Sequence, residues 1–272
     1  MYSTGEIFNN PLISVILRTC DRPLYLREAL RSVEQQAVNN IEVLLIDTGV
    51  NECDKTGLRN FAKPLVYIRK IKASAGAALN IGVANSKGEY IAFLDDDDWW
   101  DKDFLYVMYN AITNDSSDIV ACNAYYVIED REIRKRIPEK CKKDIFVNMI
   151  KDDFMVTDGL LIRNMALKEM GPFDESLSTN MDWDMLLKML LSKKQVSFID
   201  DYLTYVRIHK QNISIDKIRS AINQYRVLKK IERSDDRLND SERKALEHSI
   251  ARRKIFLGVS LIEDNKKREG RK

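Results

Sequence analysis

The chain has 272 residues, 44% of them hydrophobic and 32% charged, enough apolar material for one large domain or one domain with an appendage. Its net charge of +2 hides an asymmetry: residues 1–214 carry 27 Lys and Arg against 32 Asp and Glu, whereas residues 215–272 carry 17 against 10. A mildly acidic body gives no reason to expect nucleic acid as a partner. The four cysteines, Cys20, Cys53, Cys122 and Cys141, have neither CxxC nor zinc spacing, which implies reduced thiols in a cytoplasmic protein. No signal peptide and no apolar run of about 18 residues is present, so nothing is expected to cross a membrane.

Leu12 to Leu17 is a β-branched apolar run that reads as a buried strand. Asp21-Arg22-Pro23 then opens a helix, with Asp21 as its cap and Pro23 in its first turn. The alternation repeats: a strand from Ile41 to Ile46 ending at Asp47, a turn at Thr48-Gly49, a short helix from Lys55 to Ala62 and a strand from Leu65 to Ile68. Ser74 caps a helix from Gly76 to Asn85, and Lys87-Gly88-Glu89 turns the chain into a strand from Tyr90 to Leu94. Such a series predicts an α/β fold with a mostly parallel sheet flanked by helices. Beyond it come a helix Lys102–Ala111, a strand Asp118–Ala124 and a hairpin within Tyr125–Ile137. Further on lie a helix Lys143–Lys151, a strand Gly159–Ile162, a helix Asn164–Met170 and a helix Met185–Ser192, followed by strands Val196–Ile199 and Leu203–Arg207.

In sheets of this kind ligands bind beyond the carboxyl ends of the strands. Those ends supply Thr19 and Asp21, then Asp47, then the run Asp95-Asp96-Asp97-Asp98. Four adjacent carboxylates repel one another, and a bound divalent cation is a natural compensation. In an extended chain Asp95 and Asp97 would share one side and one ion. The plain alternative for the run is a solvated turn leading into a helix. Asp182 sits at or just before a helix start, where the helix dipole favours an anion; as an alternative it is an ordinary cap. Asp184 projects elsewhere once the helix has begun. Trp99 and Trp100 could supply a wall for stacking a sugar or belong to the core.

Taken in order, Ile13-Ser-Val-Ile-Leu-Arg-Thr-Cys-Asp-Arg-Pro, Val43-Leu-Leu-Ile-Asp-Thr-Gly, Ala77-Ala-Leu-Asn-Ile-Gly, Lys87 to Asp98 and Asp182-Trp-Asp resemble the family 2 glycosyltransferases. The resemblance spans about Leu12 to Ser214 and implies the GT-A fold and inverting transfer from a nucleotide-diphosphate sugar, here expected to be a UDP-sugar. It implies that Asp47 contacts the base; Thr19, Asp21, Asp95 and Asp96, at the strand ends, are also expected at the donor. It further implies that Asp95 and Asp97 form the DxD pair, with Asp97 the principal ligand of Mn²⁺ or Mg²⁺, and that Asp182 is the general base. Arg207-Ile208-His209, with Asn212 and Ser214, is similar to a late motif that closes over the diphosphate and brings His209 to the metal. The sequence departs from the family pattern at Cys20, Thr48, Leu79 and Met181.

A nucleotidyltransferase would need a glycine-rich phosphate loop after the first strand, and Arg18-Thr-Cys-Asp-Arg-Pro has none. An aspartyl phosphatase would carry its acidic pair there. The remaining rival is a non-catalytic sugar-nucleotide-binding or scaffold protein. Expected partners are a nucleotide sugar and a glycan or lipid-linked acceptor of bacterial-type surface polysaccharide synthesis. Residues 215–272 are expected to form a separate helical extension. Its basic and apolar residues suit either peripheral contact with the inner face of a membrane or packing, against the catalytic domain or in a homodimer.

Overall fold

The computed structural model describes residues 2–4, 11–54, 58–129, 131–210, 212 and 216–269. The predicted helix start at Lys55, residue Ser214 and the boundary between residues 214 and 215 lie outside these; Leu58 and Arg59 are helical. The described residues form one ten-stranded sheet with helices on both faces. After a short strand β1 (Tyr2–Thr4), the chain alternates β2 (Ile13–Thr19), α1 (Pro23–Glu34), β3 (Ile41–Asp47), β4 (Leu65–Arg69), α2 (Ala75–Asn85) and β5 (Tyr90–Asp95). β2 pairs in parallel with both β3 and β5, and β3 pairs in parallel with β4. The carboxyl ends Thr19, Asp47 and Asp95 therefore meet along one side of the sheet, as the alternation predicts.

The second half inserts more than it appends. Following β6 (Trp99–Trp100) and α3 (Phe104–Asn114) come β7 (Ile119–Ile128), β8 (Arg131–Lys135), α4 (Glu139–Lys142), α5 (Ile145–Lys151), β9 (Leu160–Arg163) and α6 (Asn164–Lys168). β9 lies antiparallel between β5 and β7, and β8 completes the expected hairpin with β7. α7 (Met181–Leu191) begins earlier than the apolar spacing predicts, which moves Asp182 inside the first turn. The two predicted short strands are one, β10 (Val196–Arg207), parallel to β7, whose register slips between Phe198 and Thr204 where exposed Asp200 and Asp201 interrupt the apolar pattern. Six strands, β2 to β5 with β7 and β10, run in one direction.

Strand alternation sorts the core into two layers. Ile13, Val15 and Leu17 of β2 meet α1 through Leu26, Ala29 and Val33, and the same layer takes Phe104 and Met108 of α3. Ile16 faces the other layer, with Leu79 of α2, Met149 of α5 and Leu187 of α7. Into that second layer the last helices, α8 (Lys217–Glu232) and α9 (Asp240–Glu269), insert Val227, Leu228, Ile231, Leu246 and Ile250. Further along α9 the apolar side chains of Ile255, Phe256, Val259 and Ile262 are exposed. Gly88 is required by close packing: a Cβ there would lie 2.5 Å from the backbone nitrogen of Ser14. None of the described helices is long and apolar enough to cross a membrane.

Candidate active site

The acidic run does not continue β5. The chain turns at Asp96-Asp97, with the Asp98 N–H donating to the Asp95 carbonyl at 3.2 Å, so strand alternation does not set the direction of these side chains. Each carboxylate has its own partners. Arg18, one strand away at the end of β2, clasps Asp95 with two hydrogen bonds from its guanidinium. Burial alone would depress the Arg18 pKa, but the Asp95 carboxylate overrides it and raises the value. Arg22 bridges Asp96 and Asp97 at 2.5 Å each. Thr19 Oγ1 donates to Asp96 at 2.6 Å and the Cys20 N–H at 3.2 Å, and burial pushes that carboxyl up to about 6. Asp98 accepts from the Arg207 N–H at 2.8 Å, and burial together with the neighbouring Asp158 raises its pKa. Two arginines thus answer part of the repulsion that the sequence alone assigns to a metal.

Arg207 locks this arrangement from outside. Its guanidinium lies 4.6 Å from the Trp99 ring and 4.9 Å from the Tyr25 ring, pairs with Glu28, and donates from Nε to the Asp97 carbonyl at 3.1 Å. Of the two tryptophans, Trp100 is core, stacked on Phe104, with its indole N–H on the Asp158 carbonyl at 2.7 Å. Trp99 is half-buried and stacks on Tyr205.

A cavity of about 270 Å³ opens at the strand ends, and its lining includes Asp95, Asp97 and Asn212 together with Asp182, Asp153 and Thr157. Asp182 reaches it from the first turn of α7, where Thr157 Oγ1 donates to its Oδ2 at 2.6 Å and the Trp183 N–H to its Oδ1 at 2.9 Å. Asp184 points the opposite way and is fully buried against Lys188 (2.7 Å) and Lys230 (2.9 Å). Two residues on a helix differ by about 200° in direction, which separates Asp182 from its alternative. Asp153 has a buried Oδ1 with no hydrogen-bond partner. Burial, then the nearby Asp182 charge, holds its pKa well above the ordinary carboxylate range.

The other predicted site residues serve differently. Asp47 is fully buried, and its carboxylate accepts from Gly49 N–H (2.9 Å), Cys53 N–H (3.2 Å) and the Tyr67 hydroxyl (2.6 Å). Three of the roughly four acceptor positions of this carboxylate are thus taken within the fold. Asp21, at φ 55°, is not the cap of α1; its carboxylate accepts from the Val50 and Asn51 N–H groups and so ties the β2 end to the β3 loop. Those two bonds lower its pKa. Asp96 is wholly buried beneath the cavity. Arg18, Arg22, Asp153 and Asp158 are the functional candidates that the sequence reading missed. The surplus of carboxylates at the strand ends is the signal that could have pointed to Arg18 and Arg22.

For a metal, the relevant pair is Asp97 Oδ2 and His209 Nε2, 2.9 Å apart, with Asn212 Nδ2 at 3.3 Å from the same oxygen. Among the described residues no group of three or more His, Cys, Asp and Glu is arranged to hold an ion. A carboxylate oxygen beside an imidazole nitrogen fits Mn²⁺ or Mg²⁺ when diphosphate oxygens fill the remaining positions.

The family model described as "Glycosyl transferase family 2" matches residues 14–171, more than half of the chain. The chain belongs to that family. Relatives include an uncharacterized glycosyltransferase of Rickettsia typhi, 28% identical over 79% of this chain and 68% of its own length. Another, from Methanocaldococcus jannaschii, is 25% identical over 79% of this chain and 77% of its own. Among solved structures, residues 1–349 of Staphylococcus aureus TarS in complex with UDP-GlcNAc superpose with a TM-score of 0.65 at 21% identity, covering 80% of this chain and 64% of that one. The mannosyltransferase PcManGT of Pyrobaculum calidifontis, in complex with GDP-Man and Mn²⁺, gives 0.68 at 17%, covering 89% and 69%. The longer TarS chain is spanned to only 43% of its length. These likenesses show the GT-A glycosyltransferase fold. Asp182, His209 and the last two helices lie beyond the family match.

Proposed function

We propose that this family 2 glycosyltransferase is an inverting enzyme. It moves a sugar from a nucleotide-diphosphate donor, a UDP-sugar in the first instance, to a hydroxyl of a glycan or lipid-linked acceptor in surface-polysaccharide synthesis. One observation carries this reading: Asp97 and Asp182 line one and the same cavity at the carboxyl ends of the strands. A non-catalytic sugar-binding protein has no use for a second carboxylate facing the donor cavity.

Asp97 and His209 would hold Mn²⁺ or Mg²⁺. When bound, the cation supplies positive charge that neutralises the departing diphosphate. The chain's own residues do the rest. Thr19 and Asp21 hold the β2 end that flanks the donor, and Asp47 braces the loop beside it. Arg18 holds Asp95 fixed at the cavity wall with two hydrogen bonds. Asp182 Oδ2 takes the proton of the attacking hydroxyl, with Thr157 orienting the carboxylate. The hydroxyl oxygen bonds to the anomeric carbon as the bond to the diphosphate breaks on the opposite face, which inverts the centre. That TarS was solved with UDP-GlcNAc and PcManGT with GDP-Man and Mn²⁺ supports donor and metal of these classes.

Calorimetry with UDP-GlcNAc and GDP-Man, with and without Mn²⁺, tests donor binding. Wild-type protein should bind at least one donor more tightly with Mn²⁺, and Asp97→Ala should lose that gain, about tenfold or more in Kd. Equal affinity in Asp97→Ala with and without Mn²⁺, matching the metal-loaded wild type, would remove the metal from Asp97.

A further inference from the structure

Asp182 is the second residue of a helix whose N-terminus has little local support. Asn180, the residue before α7, is left-handed at φ 62° and makes no side-chain cap. Besides Thr157 on Asp182 and the buried Trp183, whose indole N–H donates to the Met149 carbonyl at 2.9 Å, the contacts on this turn come from α8, some 40 residues further along the chain and beyond the family match. Ser220 Oγ donates to Asn180 Oδ1 at 3.1 Å. The buried Asn223 carboxamide reaches Ser178 Oγ at 3.1 Å and Thr179 Oγ1 at 3.0 Å. In the amide orientation that suits both of its ends, its oxygen accepts from the Thr179 N–H at 3.1 Å. Lys230 pairs with Asp174, just before the turn, and with Asp184 at 2.9 Å, just after it.

We propose that α8 is a positioning element for the base. Asn223 fixes residues 178–180 and Lys230 grips the buried side of α7, so that the Asp182 carboxylate faces the cavity while Asp184 faces away. This inference rests on the reading of Asp182 as base. Apolar packing by Val227, Leu228 and Ile231 would suffice to attach α8 to the core. Asp184 is fully buried while Lys188 and Lys230 are 31% and 32% exposed, so leaving that carboxylate without its lysines is costly, and only one rotation of α7 about its axis brings it to both. A displacement of about 1 Å at a reacting group is enough to lower a rate about 100-fold, so orientation here translates into turnover.

The test uses the full chain and the variants Lys230→Met, Asn223→Ala and Lys230→Arg. Turnover is read as hydrolysis of UDP-GlcNAc or GDP-Man with Mn²⁺, with water as acceptor, and hydrogen exchange is followed over residues 178–184. The expected result is a kcat about tenfold lower in Lys230→Met and in Asn223→Ala, with the donor KM within about twofold of wild type. Lys230→Arg should recover most of the rate, and exchange over 178–184 should quicken in the two impaired variants. Wild-type kcat with wild-type exchange would overturn the inference. So would parallel loss of kcat, donor affinity and melting temperature that Lys230→Arg does not repair. If Lys230→Met does not fold, Asn223→Ala carries the test. If neither donor turns over, exchange alone decides. Asp182→Asn run alongside separates the two readings: near-normal turnover there sinks the base assignment itself, whereas a dead Asp182→Asn with unimpaired α8 variants sinks only the positioning role.

Discussion

Two groups of carboxylates at the cavity are treated in opposite ways. In the acidic run Asp95, Asp96 and Asp97 are each paired with a guanidinium, from Arg18 or Arg22. In the group around the start of α7, among the described residues, Asp182 holds one hydroxyl and one N–H but no cation, and Asp153 keeps a buried oxygen without a hydrogen-bond partner. The difference follows from the chemistry each group would perform. A group that receives a diphosphate must keep its anions in fixed positions, and paired guanidiniums do that before any ligand arrives. A base must be ready to take a proton, and a guanidinium beside it would lower its affinity for that proton.

The most damaging way to break this contrast is at the base. Asp182→Asn keeps size while removing basicity, so transfer should fall by about two to four orders of magnitude with donor affinity unchanged. Steady-state kinetics alongside calorimetry would show it, and near-normal transfer would move the role elsewhere. Removing a cation from the acidic run comes next. Arg22→Met leaves buried Asp96 and nearly buried Asp97 without their shared partner, at a cost of about 3 kcal/mol, visible as a lowered melting temperature. Mn²⁺ should restore part of that loss if the cation and Arg22 share the task of neutralising Asp97. The group around the start of α7 should answer with the reverse sign. Asp153→Asn replaces a carboxyl with one buried oxygen that lacks a hydrogen-bond partner, so stability should rise by about 1 kcal/mol while the acceptor KM worsens. A variant that is less stable and equally active would make Asp153 a structural residue.

The contrast was only half legible in the sequence. β-branched runs bounded by Pro, Gly and Asp showed β2, β3 and β5, and their shared direction brought Thr19, Asp47 and the acidic run together, as observed. Partnerships across the sheet that no motif marks were hidden because they are non-local: Arg18 reaches Asp95 across 77 positions, whereas the meeting of His209 with Asp97 across 112 was expected only through the family resemblance. Asp47 and Asp96 stand at strand ends as the alternation predicts, and what the sequence did not show is that Tyr67 and Thr19 hydrogen-bond their carboxylates inside the fold. β9 could not be placed from its own residues, because a short apolar strand carries no mark of which neighbours it separates. For the tail, helical spacing in α8 showed that it packs. That it carries Asn223 and Lys230 to the turn before Asp182 depends on contacts no periodicity encodes.

The smallest expected effect probes the clamp behind the base by pH. Burial acts to raise the Asp174 pKa, but hydrogen bonds from Lys230 and Ser176 outweigh it and hold the carboxyl at about 2, below its ordinary 3.8. A depressed carboxylate binds fewer protons in the folded state than in the unfolded one. Its contribution is therefore fully present above about pH 4 and is lost as pH falls towards 2. The shift itself corresponds to about 2 kcal/mol, and with the side chain one quarter exposed, about 1 kcal/mol is the realistic share. Asp174→Asn should thus lower stability by about that amount at pH 7. Its loss relative to wild type should shrink as the pH approaches 2. Denaturant melts at pH 7, 4 and 2.5 measure it directly. A difference from wild type that stays constant across those three values would mean that Lys230 draws nothing from the Asp174 charge, leaving buried Asp184 as its working partner on α7.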